Sequence, residues 1–499
     1  MKGITTPMAR IRRRVFEEAA RLGFEGGGLS RMDQVPYQII PGEVALYRDS
    51  VFRERAVVGE RLRMACGLPL RDTGEYAPIS QGIERAAVCG RYVEGPLIQV
   101  IPFACNACDT HRFAVTDACQ RCLEHPCVSA CPVKAVSLGE RRARIDTETC
   151  IRCGRCRDAC PYHAILEVRR PCAAVCGVDA IQSDELGRAV IDQEKCVACG
   201  QCLSHCPFSA IADKSQVFQL ALALREGKRV AAALAPSFVG QFGPLATPGR
   251  VKSALLALGF SQVVEVAMGA DWSTDQEARE FLKHVGKDMP FLATSCCPSW
   301  SVMAKREFPE LAGYVSLSLT PMVQAARRIR EENPGTMVAF IGPCLAKKLE
   351  AGRESVRSDV DFVVTFEEMM GMFAAKEVDF AALSESEVLA DATALGRGYA
   401  VAGGVAAALA KRIEMLEPGR EVPIDRADTL SACKKLLMVA RAGKRDGYLL
   451  EGMACPGGCI GGTGGMLPVK KAAGMVERFA QDSPRGWDDP KSPPVQPAE

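Results

Sequence analysis

Cysteine spacing constrains this chain more than any other feature. Cys150, Cys153, Cys156 and Cys160, followed by Pro161, have the spacing C-x2-C-x2-C-x3-C-P, and Cys196, Cys199, Cys202, Cys206 and Pro207 repeat it. Cys119, Cys122, Cys127, Cys131 and Pro132 give the same motif expanded by two residues. A compact C-x2-C-x2-C loop wraps three irons of one cubane, and the x3-C-P step sends the fourth cysteine to a neighbouring cluster. The chain must therefore fold around metal thiolates. Disulfides are the other use for 24 cysteines, but they suit small secreted domains, and this chain has 499 residues. Its N-terminal region places Glu17 and Glu18 after Arg10, Arg12, Arg13 and Arg14, with no apolar h-region of an export signal. A reducing, cytoplasmic setting is expected.

Crossed ligation divides the block. One cluster takes Cys119, Cys122, Cys127 and Cys160; its neighbour takes Cys150, Cys153, Cys156 and Cys131. Cys172-x3-Cys176 reads as the back half of a broken motif, so Cys176 can complete the set Cys196, Cys199 and Cys202. Cys105, Cys108, Cys172 and Cys206 then remain for a fourth cube, which implies one ferredoxin-like unit inserted inside another. The alternative makes Cys105 and Cys108 a small zinc or structural pair. His111, His125, His163 and His205 are read as ordinary neighbours or surface groups. The arginines at 141, 142, 152, 155 and 157 either attract an acidic electron carrier or form a solvated face.

The rest of the chain falls into three parts. Residues 1–100 open on a helical pattern (Val15, Ala19, Leu22) and have no assigned role, with Cys66 and Cys89 as unligated thiols. Residues 101–213 are the α+β cluster block. Residues 214–480 alternate apolar runs at 230–235, 262–268, 338–341 and 362–366 with helical patterns, an α/β signature of parallel sheets. The tail from 481 is rich in Pro, Asp and Ser and reads as disordered. With 62 basic and 60 acidic residues, nothing favours nucleic-acid binding, and no apolar run suits a membrane span.

Three further cysteine motifs lie in the α/β part. They are Thr294-Ser295-Cys296-Cys297-Pro298-Ser299-Trp300, Gly342-Pro343-Cys344-Leu345-Ala346-Lys347-Lys348-Leu349-Glu350, and Glu451-Gly452-Met453-Ala454-Cys455-Pro456-Gly457-Gly458-Cys459. Scattered single ligands that follow separate strands bury one cluster between two lobes, with Gly457 and Gly458 allowing close backbone approach. Cys433 sits in a helical pattern and reads as core.

At these motifs the sequence, over roughly 101–472, resembles the iron-only (FeFe) hydrogenases. The resemblance implies a two-lobed α/β catalytic domain, with parallel sheets flanked by helices, around an H-cluster: a 4Fe–4S cubane joined to a diiron centre with carbon monoxide, cyanide and a bridging dithiolate. It implies that Cys297, Cys344, Cys455 and Cys459 hold the cubane, with Cys459 bridging to the diiron unit. Cys296 would be a free proton-carrying thiol, Lys347 a donor to cyanide, and Met453 a packing residue. Glu277 and Glu280, three apart and so on one helical face, match the family's relay glutamates. Ser316 matches a relay serine, and His284 stands at the mouth where arginine is usual. Gly342 replaces the methionine of the best-studied members and is expected to open space near the diiron site. After Cys459 the sequence Ile-Gly-Gly-Thr-Gly-Gly replaces Gly-Gly-Gly-Gln-Pro, and no plant-type 2Fe–2S domain is seen. These departures resemble a less-studied branch with a Gly-Pro-Cys motif.

The expected activity is reversible interconversion of dihydrogen with protons and electrons. Electrons would pass through three to four additional 4Fe–4S clusters to a soluble ferredoxin-like carrier, and dedicated maturation enzymes would build the diiron unit. A hydrogen sensor of low turnover and a non-catalytic iron–sulfur assembly scaffold are the competing readings.

Overall fold

The computed structural model describes residues 6–385 and 387–487. Its first element is the helix Pro7–Glu25, started by a proline in the first turn and by Thr6, whose Oγ1 accepts from Ala9 N at 3.1 Å. Val15, Ala19 and Leu22 share its buried face with Phe16 and Ala20. Those residues join the same hydrophobic core as the strands near 230, 340 and 362, so the N-terminal segment is built into the α/β region. Contact with the helix Phe366–Ala375 is backbone-close: a Cβ on Gly371 would stand 2.7 Å from Phe16. Arg12 closes the seam with two hydrogen bonds of 2.8 Å to Glu367.

The cysteine block is nested. Strand β1 (Ile98–Val100) pairs antiparallel with β8 (Ile211–Asp213), at the opposite end of the block. Inside that closure β2 (His111–Val115) pairs with β5 (Ile165–Arg169), and β3 (Val136–Leu138) with β4 (Ala143–Ile145). A last hairpin, β6 (Ile181–Ser183) with β7 (Ala189–Ile191), belongs to the outer unit. Arg170 holds the neck where the inner unit leaves and returns. Almost fully buried, it donates to Cys108 O, Gln182 O and Gly187 O. Five donors in a fixed plane suit a residue that must satisfy several carbonyls at once.

Two parallel sheets follow. Strands β9 (Val230–Leu234), β10 (Gln262–Glu265), β12 (Met337–Gly342) and β13 (Phe362–Thr365) form one, in the order β10-β9-β12-β13. Strands β11 (Leu292–Ala293), β14 (Ile424–Asp428) and β15 (Leu449–Met453) form the other, in the order β11-β15-β14. Helices run between the strands, as parallel connection requires. The apolar run 262–268 is only half strand: at Val266 it turns into the helix Val266–His284, whose buried face continues the apolar character. Chain order also persists past 481. Ser483 donates to Ala392 O at 2.6 Å and Arg485 bridges to Thr393, so the expected disorder does not start where composition placed it. Residues 488–499 of that tail lie outside the described residues. No helix among the described residues is long and apolar enough to cross a membrane.

Candidate functional site

The carboxyl ends of the two sheets face one cavity of about 770 Å³, mouth included. Ala235, Pro236 and Ser237 enter it after β9, Val266 and Ala267 after β10, and Pro343 and Cys344 after β12. Cys296 and Cys297 follow β11, and Ala454 and Cys455 follow β15. Ligands gather there because adjacent parallel strands diverge into loops at that end. Cys297, Cys344, Cys455 and Cys459 thus reach one space from three strand ends and a glycine-rich turn. Gly458 has φ +89, and a Cβ on it would meet Ala402 N at 2.6 Å, so only glycine fits that approach. Asp428 accepts from Gly457 N at 2.6 Å and fixes the turn.

Among the described residues no three His, Cys, Asp or Glu side chains stand close enough to hold a single metal ion. The cysteines instead surround a space, as ligands of a cluster must. Ser237 Oγ is buried beside that space without a hydrogen-bond partner, the condition of a donor waiting for an acceptor. The donor set and the orphaned hydroxyl fit a thiolate-held cluster with anionic ligands.

Lys347 Nζ lies at the edge. It bonds Glu350 Oε2 at 2.6 Å, Thr320 Oγ1 at 3.0 Å and Cys296 O at 3.3 Å. All three ammonium protons have acceptors, so donation into the cavity must give up one, and the bond to Cys296 O is the longest. Met453 is buried and lines the wall. The expectation that Gly342 opens space is corrected. Residues 340 and 342 share one face of β12, and the Phe340 ring covers the glycine and lines the cavity itself.

From the cavity a polar line runs outward. Cys296 is half-buried at the cavity wall, and desolvation, reinforced by the nearby Glu277 charge, pushes its thiol well above the ordinary range. Glu277, on the helix Val266–His284, accepts from Ser295 N at 3.1 Å and Ser295 Oγ at 3.0 Å. Burial raises its carboxyl from 4.5 to about 7, against hydrogen bonds from Ser295 and Ser316 that favour the charged form. Ser316 Oγ donates to Glu280 Oε2 at 2.5 Å, and Ser318 Oγ to the same oxygen at 3.2 Å. His284, one turn further, pairs through Nδ1 with Asp288 at 3.0 Å and is partly exposed. Sequence reading missed Ser318, Ser237, Phe340 and Tyr399. Tyr399 bonds Thr274 Oγ1 at 2.8 Å. Because that hydroxyl already donates to Ala270 O, the phenol must donate to it, leaving the phenol oxygen as an acceptor at the cavity.

The cysteine block repeats its backbone four times. The second residue after Cys105, Cys119, Cys150 and Cys196 has positive φ (Ala107, Arg121, Arg152, Ala198). So has the third residue after Cys131, Cys160, Cys176 and Cys206 (Lys134, His163, Asp179, Ser209). Such residues turn successive amides inward, and Cys131, Cys176 and Cys206 each accept from the amide four residues on. The split stretch carrying Cys105, Cys108, Cys172 and Cys176 has both turns of an unbroken motif. Cys119, Cys122, Cys127 and Cys160 line one cavity. Cys156 lies within electrostatic reach of Cys150 and Cys131, Cys202 of Cys196, Cys199 and Cys176, and Cys172 of Cys105 and Cys206. Cys199 in turn is near Cys297, so the block abuts the cavity at the sheet ends. His111 pairs with Glu167, and His205 bonds Gln201 O. Cys66 and Cys433 are core residues, the latter donating to Ala427 O and Met453 O.

Residues 228–463 match the iron only hydrogenase large subunit, C-terminal domain. Residues 143–166 match a 4Fe-4S binding domain, and 166–217 the LdpA Fe-S cluster-binding domain. Iron hydrogenase 1 of Clostridium pasteurianum is 26% identical over 303 residues, 51% of this chain and 53% of that protein. The periplasmic [Fe] hydrogenase large subunit of Nitratidesulfovibrio vulgaris is 28% identical over 283 residues, 48% of this chain and 66% of the relative. The cytosolic Fe-S cluster assembly factor NAR1 of Yarrowia lipolytica is 28% identical over 172 residues, 30% of this chain and 34% of the relative. The chain spans about half to two thirds of the length of the hydrogenases it matches. With the cysteine-lined cavity at the ends of its two parallel sheets, these matches make the chain an FeFe hydrogenase-like, iron–sulfur-binding protein.

Proposed function

We propose that the chain is a hydrogenase that interconverts dihydrogen with two protons and two electrons. The observation that carries this reading is the line Cys296, Glu277, Ser316 and Glu280, which joins a free, half-buried thiol at the cavity to a half-buried carboxylate. A cluster scaffold has no use for a proton route, whereas proton reduction needs one.

Cys297, Cys344, Cys455 and Cys459 would hold an H-cluster. When bound, that group supplies the metal site at which dihydrogen is formed or split. Ser237 and Lys347 would be the donors to its anionic ligands, and Met453 and Phe340 would keep water away. Cys296 holds a proton beside the cavity. Glu277, poised near neutrality, both takes and gives one at working pH. Ser316 passes it on to Glu280, and His284 with Asp288 stands near the mouth. The sixteen cysteines of residues 101–213 would hold four 4Fe–4S clusters: 119/122/127/160, 131/150/153/156, 176/196/199/202 and 105/108/172/206. These would link the cavity to a ferredoxin-like carrier. The Gly-Pro-Cys motif supports placing the chain in the less-studied branch, and building the diiron unit would need maturation enzymes.

The NAR1 matches favour a second reading, iron–sulfur cluster assembly. Infrared spectroscopy of anaerobically matured protein, with hydrogen evolution from reduced methyl viologen, separates the two. Carbon monoxide and cyanide bands with turnover support the hydrogenase. Bands with negligible turnover would make the protein a sensor. Their absence, when a control protein matures, would leave the assembly role.

A further inference from the structure

We propose that electrons enter at residues 151–155, where a small acidic iron–sulfur carrier protein docks against Arg152, Arg155 and Ile151. This rests on the hydrogenase reading and names the partner-binding face it requires. Of the 24 cysteines, Cys153 alone is exposed, so its cluster would be the one nearest to solvent. Ile151 beside it is 59% exposed and Leu123 in the other loop 93%, so the exposed thiol, not an apolar residue, distinguishes this loop.

Arg152 and Arg155 flank Cys153, are exposed, and form no ion pair among the described residues. The neighbouring acids are mostly engaged: Asp158 pairs with Arg157, and Asp146 accepts from Thr149 and from Glu148 N. Asp109, which shares a cavity with Arg152, pairs with Arg112. Arg152 also holds φ +59, a conformation that a long side chain adopts at a cost. The matching positions of the outer unit carry alanine, at Ala107 and Ala198. A charged side chain is therefore not what the turn demands.

The face is also connected inward. Cys150 lines a cavity with Asp109 and Thr110, the residues directly after Cys108. Cys172 lies near Cys202, and Cys199 near Cys297. Each docking would pass one electron from a reduced carrier to the exposed cluster. Two such events and two protons make one dihydrogen and two oxidised carriers.

The other exposed loop of the inner unit supplies the control, because Arg121 occupies the turn position equivalent to Arg152. The double variant Arg152→Asp/Arg155→Glu and the single variant Arg121→Asp are compared as full-length holoprotein, with a small acidic two-cubane ferredoxin as probe. Binding is titrated directly with the oxidised probe, KM is measured with the reduced one, and iron content and viologen-driven turnover are followed in parallel. Charge reversal at a steering patch changes association about tenfold or more at low salt. The double variant should weaken binding and raise KM by that factor, flatten the salt dependence and leave viologen turnover intact, while Arg121→Asp stays within about twofold. Equal loss in both variants, loss only in Arg121→Asp, or no loss in the double variant would overturn the proposal. If Arg152→Asp costs iron, Arg155→Glu alone decides by the same readouts. Ferredoxin binding that follows this pattern in a protein without viologen turnover would overturn the hydrogenase reading and leave the docking face standing.

Discussion

The Phe340 ring lies over Gly342 so closely that a Cβ on the glycine would stand 2.6 Å from both Cε1 and Cζ. The residue before Pro343 is small because the residue two before it is large. Gly342→Met should overpack the site and lower stability by roughly 1–3 kcal/mol. Adding Phe340→Ala should recover most of that loss. Thermal unfolding of the three proteins checks it, and a Gly342→Met variant as stable as wild type would show that the ring moves aside freely.

Glu280 gathers hydrogen bonds from Ser316, Ser318 and Leu317 N. Glu280→Gln keeps the shape and removes the proton acceptor, so turnover should fall by about 10²-fold or more while cluster spectra stay unchanged. Ser318→Ala, which leaves Ser316 in place, should cost far less. Full activity in Glu280→Gln would refute the route.

Glu277 carries a pH signature. Its carboxyl is raised from 4.5 to about 7 by burial, so the folded chain binds more protons than the unfolded one between those values. Stability should therefore fall as pH rises through that window, by up to about 3 kcal/mol from this group. Glu277→Gln should remove the slope and be the more stable protein at pH 8, although it loses turnover. Denaturant titrations at pH 5 and pH 8 test this, and parallel pH profiles for wild type and variant would contradict it.

The split motif makes an iron prediction. Cys105→Ser together with Cys108→Ser should cost about four irons per chain if these residues ligate a cubane with Cys172 and Cys206. Iron and acid-labile sulfide analysis of reconstituted protein decides it. Loss of no iron would return Cys105 and Cys108 to a structural role.

Much of this site was legible because cubane ligation imposes fixed cysteine spacing, and because two-fold and 3.6-fold periodicities mark strands and helices. The parallel sheets around β9, β12 and β13 follow from continuous apolar runs buried on both faces. What escaped reading depends on tertiary contact. Nothing in the order of residues 262–268 marks the switch to helix at Val266, since strand and helix are both buried there. The packing of Phe16 on Gly371 joins residues hundreds of positions apart, so the N-terminal segment had no readable role. Phe340 looked like one more core residue until its partner two positions on proved to be the glycine. Tyr399 and Ser237 carry no motif, and only their orphaned or directed hydroxyls identify them.

The nested pairing of strands also sets an order of assembly. Everything needed for the inner pair of cysteine sets has been synthesised once Cys160 emerges, and β2 can close on β5 soon after. The outer unit cannot close until β8 arrives to meet β1, because Cys206 and its strand come last. A nascent chain would thus be able to receive iron and sulfide at the end remote from the cavity first. Metallation would proceed from the periphery inward, and the outer-unit clusters that link to the cavity would be the last electrical connection made.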